Sequence, residues 1–383
     1  MQIASSPFAR NYQQARDQFV AWKEKLPGAI LDSVSVANKE GKDLSVDILT
    51  LPAQHTAENV LVISSGVHGA EGAPGSAMQE LFLKEHLPNL DRSKTTVVLV
   101  HAVNPWGFEN NHRYTENNVD LNRNSVKDPE TFKHYPNQLY ANVQGLLTAS
   151  KPPRWYATSL AKMGFGLVFH LIKSGFDRSQ VTQSVAGGQN LDPRGVNYAS
   201  HAHEPQIPAI QNILRQHIGA AKNVVHYDIH TGLGARGHLH VIDNSDPKSL
   251  HDSKTYISPL TDDPTDTIWH NTSSDPGFYD VSLGDFTNVS EAAASPEARV
   301  FTYTAEVGTL GKGLLQQIDS AARYHERNSL GFYADQLSAE KRQAILNRCS
   351  EMYNPADPSW QQQTTANFSR LFAHTVQQFN QGL

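Results

Sequence analysis

Two short runs of unbroken apolar character, Asn59 to Ser64 (NVLVIS) and Thr95 to His101 (TTVVLVH), constrain this chain most. Each is too short for a buried helix and too continuously apolar for a strand with one wet face, so each reads as a strand covered on both sides. Between them lie a glycine-rich loop and a stretch of helical periodicity from about Gly75 to His86. Strand, loop, helix, strand is a βαβ unit, which makes the two strands parallel and places helices on the sheet faces.

The rest of the chain extends that unit. Two alternating runs, Ala29 to Val36 and Leu44 to Leu51, flank the turn-rich Asn38 to Lys42 and predict a hairpin. Strand signals return at Asn223 to Ile229, Leu239 to Ile242 and Val300 to Ala305, and Ser6 to Leu26 carries helical spacing closed by Pro27-Gly28. Helical stretches at Pro129–Leu147, Arg154–Ser174 and Pro208–Ile218 surround a polar loop, Val185 to Pro205. These predict an insertion over one rim of the sheet at about 125–222. Three further helical stretches, Leu314–Phe332, Ser338–Met352 and Pro358–Phe379, predict a helical C-terminal tail at about 314–383. The expected fold is α/β: one domain over 1–383 with a mixed, largely parallel central sheet flanked by helices, plus the helical insertion.

Charge and cysteine usage narrow the function classes. The balance is 32 − 38 = −6 without acidic or basic blocks, which argues against nucleic acid or an anionic membrane as the main partner. The single cysteine, Cys349, excludes an internal disulfide and a thiolate zinc site within one chain. No apolar run is long enough to span a bilayer and the first residues lack a signal-peptide core, so a cytoplasmic protein is expected.

Four short motifs follow apolar strands, where open α/β sheets place their ligands. In SSGVHGAEGAPGS (64–76), His68 and Glu71 are three residues apart, and imidazole and carboxylate both suit zinc. In HYDIHTGLG (226–234), His230 ends a predicted strand and supplies a third such ligand; Asp228, His226, His238 and His240 are nearby rivals, ranked lower because side chains alternate along a strand. NPWGFENNHRYTENNVDLNRN (104–124) places Arg113, Asn122 and Arg123 in a polar stretch, with donors matched to a carboxylate or a developing oxyanion. FTYTAEVGT (301–309) offers Glu306 as a carboxylate that takes and returns a proton. Singly, each motif is more often an ordinary loop or strand end. Together they hold the parts of a metal-assisted amide hydrolase.

In this order, His68/Glu71, Arg113, Asn122-Arg123, His230 and Glu306, the chain resembles the zinc carboxypeptidase superfamily, including its aspartoacylase and succinylglutamate desuccinylase deacylases. The resemblance spans roughly 59–309, and the AGGQNLDPRGVNY stretch (186–198) is similar to a bacterial branch. It implies one zinc ion on His68, Glu71 and His230, with Asp120 orienting the first histidine. It further implies Glu306 as base and acid, Arg113 polarising the scissile carbonyl, and Asn122 with Arg123 gripping a terminal carboxylate. Tyr279 and Tyr256 are both candidates for the family's substrate-binding tyrosine, with nothing to choose between them. The implied substrate is a small peptide or an N-acyl amino acid, because the insertion narrows the groove. A non-catalytic binding protein of the same fold would lack a ligand or the base, and all are present. A serine hydrolase is disfavoured because Ser64-Ser65-Gly66 is not a nucleophile elbow.

Overall fold

The computed structural model describes residues 8–134, 140–175, 184, 186–261, 268–271 and 284–382. Its strands are β1 (Ile30–Ser35), β2 (Ser45–Leu51), β3 (Asn59–Ser65), β4 (Thr95–His101), β5 (Asn223–Arg236), β6 (Leu239–Asp243), β7 (Ile268–Asn271) and β8 (Arg299–Gly308). They form a single sheet in the order β1-β2-β4-β3-β5-β8-β6-β7. The centre, β4-β3-β5-β8, is parallel; β1 and β2 extend it antiparallel on one side and β6 on the other. The mixed, largely parallel α/β sheet expected from the apolar runs is thus present.

The principal helices are α1 (Tyr12–Val20), α2 (Gly72–Leu81), α3 (Tyr140–Leu147), α4 (Tyr156–Lys173), α5 (Gln206–Ile218), α6 (Leu250–Thr261), α7 (Asn288–Ala293), α8 (Leu314–Tyr333), α9 (Ala339–Tyr353) and α10 (Pro358–Asn380). Alternation along each strand divides them between two faces. On one face, Leu61, Ile63, Val225, Tyr227, Tyr303 and Val307 pack against α2, α6 and α10. On the other, Val60, Val62, Val98, Val224 and Val300 pack against α5 and α7 through Ile207, Ile210, Leu214 and Val289.

Several boundaries differ from the sequence expectation. The first helix breaks at Ala21, and α2 begins at Gly72, three residues before the predicted start, ending in a π-turn over Phe82–His86. Helix α5, within the stretch read from the sequence as an insertion, packs into the main core through Ile207, Ile210, Leu214 and Ile218. Strand β5 runs on to Arg236, so His230 sits inside a strand and does not end it. The C-terminal helices are not peripheral. Trp360, Phe368 and Phe372 of α10 are fully buried beneath the sheet, and α8 and α9 line the site described next.

Candidate metal centre

The parallel strands β3, β5 and β8 carry the site at and beyond their carboxyl ends. After β3, Gly66 turns the chain at φ +66°, a conformation that disfavours residues with a Cβ. His68 then caps a 3₁₀ turn, Gly69–Glu71, that leads straight into α2. The turn lies against the backbone of the short helix at Pro105–Glu109: a Cβ on Gly69 would fall 2.1 Å from the carbonyl carbon of Gly107. The glycines of this motif are therefore required by close packing as well as by bending.

His230 and Glu306 are neighbours for a different reason. They face one another in register across the parallel pair β5 and β8, on the same sheet face. His230 Nδ1 lies 3.0 Å from His68 Nδ1 and 2.9 Å from Glu71 Oε2, while Glu71 Oε1 is 2.9 Å from His68 Nδ1. All three residues are buried, and one ligand atom from each lies within 4.8 Å of the others. None of the rivals Asp228, His226, His238 and His240 joins that group.

The outer nitrogens of both imidazoles face carboxylates. His230 Nε2 is 2.6 Å from Asp228 Oδ2. His68 Nε2 is 3.3 Å from Asp120 Oδ1, off hydrogen-bond alignment and without another partner among the described residues. The carboxylate hydrogen-bonded behind His230 fixes that ring and the proton on Nε2, Asp120 faces the matching nitrogen of His68, and the inner nitrogens of both rings are turned toward Glu71. Two nitrogens and a carboxylate converging in a buried volume call for a positive charge between them, and this set fits a divalent cation such as zinc. The electrostatics agree. Burial works to raise the Glu71 carboxyl, but the charges of His68 and His230 outweigh it and hold it well below the usual carboxylate range. Burial likewise works to lower His230, yet Asp228 and Glu71 hold it well above its ordinary value.

Glu306 is the contrasting carboxylate. Burial and the neighbouring Glu71 charge push it up to about 7, against His230, the Leu233 N–H and Arg113. Leu233 N–H donates to Oε1 at 2.8 Å, and Oε2 makes no hydrogen bond among the described residues. Such a carboxyl can exchange a proton near neutrality.

Arg113 is drawn to the centre by Asp120, whose Oδ2 accepts from Nε and Nη2 at 3.3 and 3.2 Å, and its Nη1 lies 3.7 Å from Glu71 Oε1. Asp120 thus serves His68 and Arg113 together. Asn122 and Arg123 lie on the next helical turn and are fully buried. Asn122 Oδ1 accepts from Phe286 N–H at 2.7 Å. The Arg123 guanidinium donates to the carbonyls of Ala186 and Asn122, with Asp285 at 3.7 Å.

Sequence reasoning missed three participants. Asp228 is a carboxylate behind His230, not a rival ligand; residues 228 and 230 share strand parity, which was the available signal. Tyr324 of α8 lies under the Arg113 guanidinium, 5.5 Å from Cζ to ring centre, and hydrogen-bonds Tyr114 and Asn197. Tyr353 of α9 closes the site beside Gly232. No spacing in the sequence links either tyrosine to Arg113. Tyr256 is not at the site: it is buried on the opposite sheet face against Tyr227, Tyr303 and His374. Tyr279 lies outside the described residues.

No helix among the described residues is long and apolar enough to cross a membrane. No curated protein matches the chain significantly. Among solved structures it is similar to carboxypeptidase A from Helicoverpa armigera, at 14% identity and TM-score 0.47, over 91% of this chain and 75% of that one. It is also similar to a metallo-carboxypeptidase from Pseudomonas aeruginosa in complex with (2-guanidinoethylmercapto)succinic acid, at 14% identity and TM-score 0.43, over 84% and 69%. A third is a protein of the succinylglutamate desuccinylase/aspartoacylase type from Shewanella frigidimarina, at 18% identity and TM-score 0.39, over 81% and 71%. A family model covers residues 8–367, nearly the whole chain, and the protein belongs to that family, described as Protein of unknown function (DUF2817).

Proposed function

We propose that the protein is a zinc-dependent hydrolase that cleaves an amide bond next to a terminal carboxylate, acting on small peptides in the manner of a metallocarboxypeptidase. The observation that carries this is the convergence of His68, Glu71 and His230 beside a carboxyl, Glu306, whose protonation changes near neutral pH. A cation on those three residues supplies Lewis-acid polarisation and a water of lowered pKa. Glu306 takes the proton of the attacking water on Oε2 and returns it to the departing amine, while Leu233 N–H holds Oε1 in place. Arg113, steadied by Asp120 and Tyr324, presents its guanidinium to the oxyanion that develops on the carbonyl. Asn122 and Arg123 bind the substrate carboxylate, which takes over donors now directed at backbone carbonyls and Asp285.

An N-acyl amino acid is the second substrate class. It is favoured by the burial of Arg123, since a carboxylate reaching it sits deep and leaves little room for a long peptide. The experiment is metal analysis of the purified protein, followed by a screen of dipeptides, tripeptides and N-acyl amino acids before and after chelation. Activity lost on chelation, restored by zinc and absent from Glu306→Gln supports the proposal. Hydrolysis that survives chelation, or full turnover by Glu306→Gln, refutes it.

A further inference from the structure

Behind the metal-binding cluster, on the face of the sheet covered by α7, a line of buried polar side chains runs away from His230. Asp228 Oδ2 meets His230 Nε2 at 2.6 Å, and Asp228 Oδ1 accepts from Ser64 Oγ at 2.6 Å. Ser64 Oγ also meets His226 Nε2 at 2.8 Å, and His226 Nδ1 meets Ser290 Oγ of α7 at 2.8 Å. All five residues are buried, and the parallel register places Ser64 directly opposite Asp228. Nothing in the proposed chemistry uses Ser64, His226 or Ser290.

The directions of these hydrogen bonds follow from a count of protons. An ionised carboxylate only accepts, so Ser64 gives its single hydroxyl proton to Asp228. Ser64 must then accept from His226, which puts the imidazole proton on Nε2. The buried ring is neutral, its pKa pushed down to about 4 mainly by burial, so Nδ1 has a bare lone pair and accepts from Ser290. The Asp228 charge and the Thr287 backbone work to raise the His226 pKa, and burial outweighs them. At the other end, Asp228 is held by Ser64 through one oxygen and presents the other to His230 Nε2–H. When His230 gives up its Nδ1 proton to a bound cation, the proton on Nε2 stays with Asp228 and the freed Nδ1 lone pair is the one facing His68 and Glu71.

We propose that Ser64 and His226 are positioning residues for the metal site: the chain Ser290–His226–Ser64–Asp228–His230 fixes the His230 proton on Nε2 and sets the affinity for a divalent cation. This rests on the metal-site assignment above. Partners of this kind behind a ligand change metal affinity by about 10- to 100-fold.

The test is zinc affinity, measured by competition with a chromogenic chelator on full-length wild type, Ser64→Ala, Ser64→Thr and His68→Ala, with ring-nitrogen NMR of the zinc-loaded wild type. Ser64→Ala is expected to bind zinc about tenfold more weakly. Ser64→Thr, which keeps the hydroxyl, stays within about twofold on the same scale. His226, assigned through a His226→Gln variant, shows its proton on Nε2. Unchanged zinc affinity in Ser64→Ala, or a His226 proton on Nδ1, overturns the proposal even if Ser64→Ala folds poorly, because the NMR measurement uses wild type. If His68→Ala binds zinc as wild type does, the metal site itself is wrong, which is a separate failure.

Discussion

Replacing Glu306 with Gln should make the metal-free protein more stable while abolishing turnover, and the gain should grow with pH. Burial and the Glu71 charge lift the carboxyl from 4.5 to about 7. At about 1.4 kcal/mol per pKa unit, the ionised form is disfavoured in the fold by about 2–3 kcal/mol, allowing for residual exposure. Below pH 4.5 the carboxyl is protonated in the folded and unfolded chains alike and no penalty exists; above about 7 it is ionised in both and the penalty is complete. Glutamine carries no charge, and its carbonyl oxygen still accepts the Leu233 N–H. An unfolding entropy of about 2.1 cal/mol/K per residue over this chain turns 2–3 kcal/mol into a Tm difference of about 3 °C. The assay is thermal unfolding of chelator-treated wild type and variant at about pH 4 and about pH 8.5, chosen to bracket that window. Near-equal Tm values at the lower pH and a more stable variant at the higher are expected. A gap that does not change with pH, or a wild type favoured at the higher pH, would refute the account of Glu306 as a carboxyl strained by burial.

Other outcomes follow from the same geometry. Zinc uptake should release protons and weaken as pH falls, because His230 is held protonated between Asp228 and Glu71 and must lose that proton to bind; calorimetry in buffers of different ionisation enthalpy measures it. Arg113→Ala should leave zinc content intact and lower kcat/KM by about 10²–10³, read with a substrate from the screen. Gly69→Ala drives a Cβ into the Gly107 backbone at 2.1 Å and should cost at least about 1–3 kcal/mol in denaturant titrations, with a loss of zinc affinity as His68 shifts. In the zinc-loaded enzyme, kcat/KM should rise with pH through an apparent pKa at or below about 7, since the bound cation adds to the groups that lower Glu306.

The central sheet was legible because a strand buried on both faces must be apolar throughout, and NVLVIS, TTVVLVH and the run into β5 are. The candidate site was legible for a related reason: His68 and Glu71 share one turn, and His230 and Glu306 follow apolar runs whose register local pattern nearly fixes. Helix ends were less so. Gly72 opens α2 only because the segment is buried on every side, which no propensity records.

What the sequence determined by itself was which residues are candidates for the chemistry and which strands hold them, since both depend on residue type and local period. What only the tertiary structure decided was the surroundings: Asp120 behind His68, Tyr324 and Tyr353 brought in by C-terminal helices, and Arg123 turned toward Ala186 and Asp285. Those contacts join segments up to hundreds of residues apart, and packing of whole elements sets them. The Glu306 pKa belongs with them, because burial is a property of the folded molecule and of no stretch of its chain.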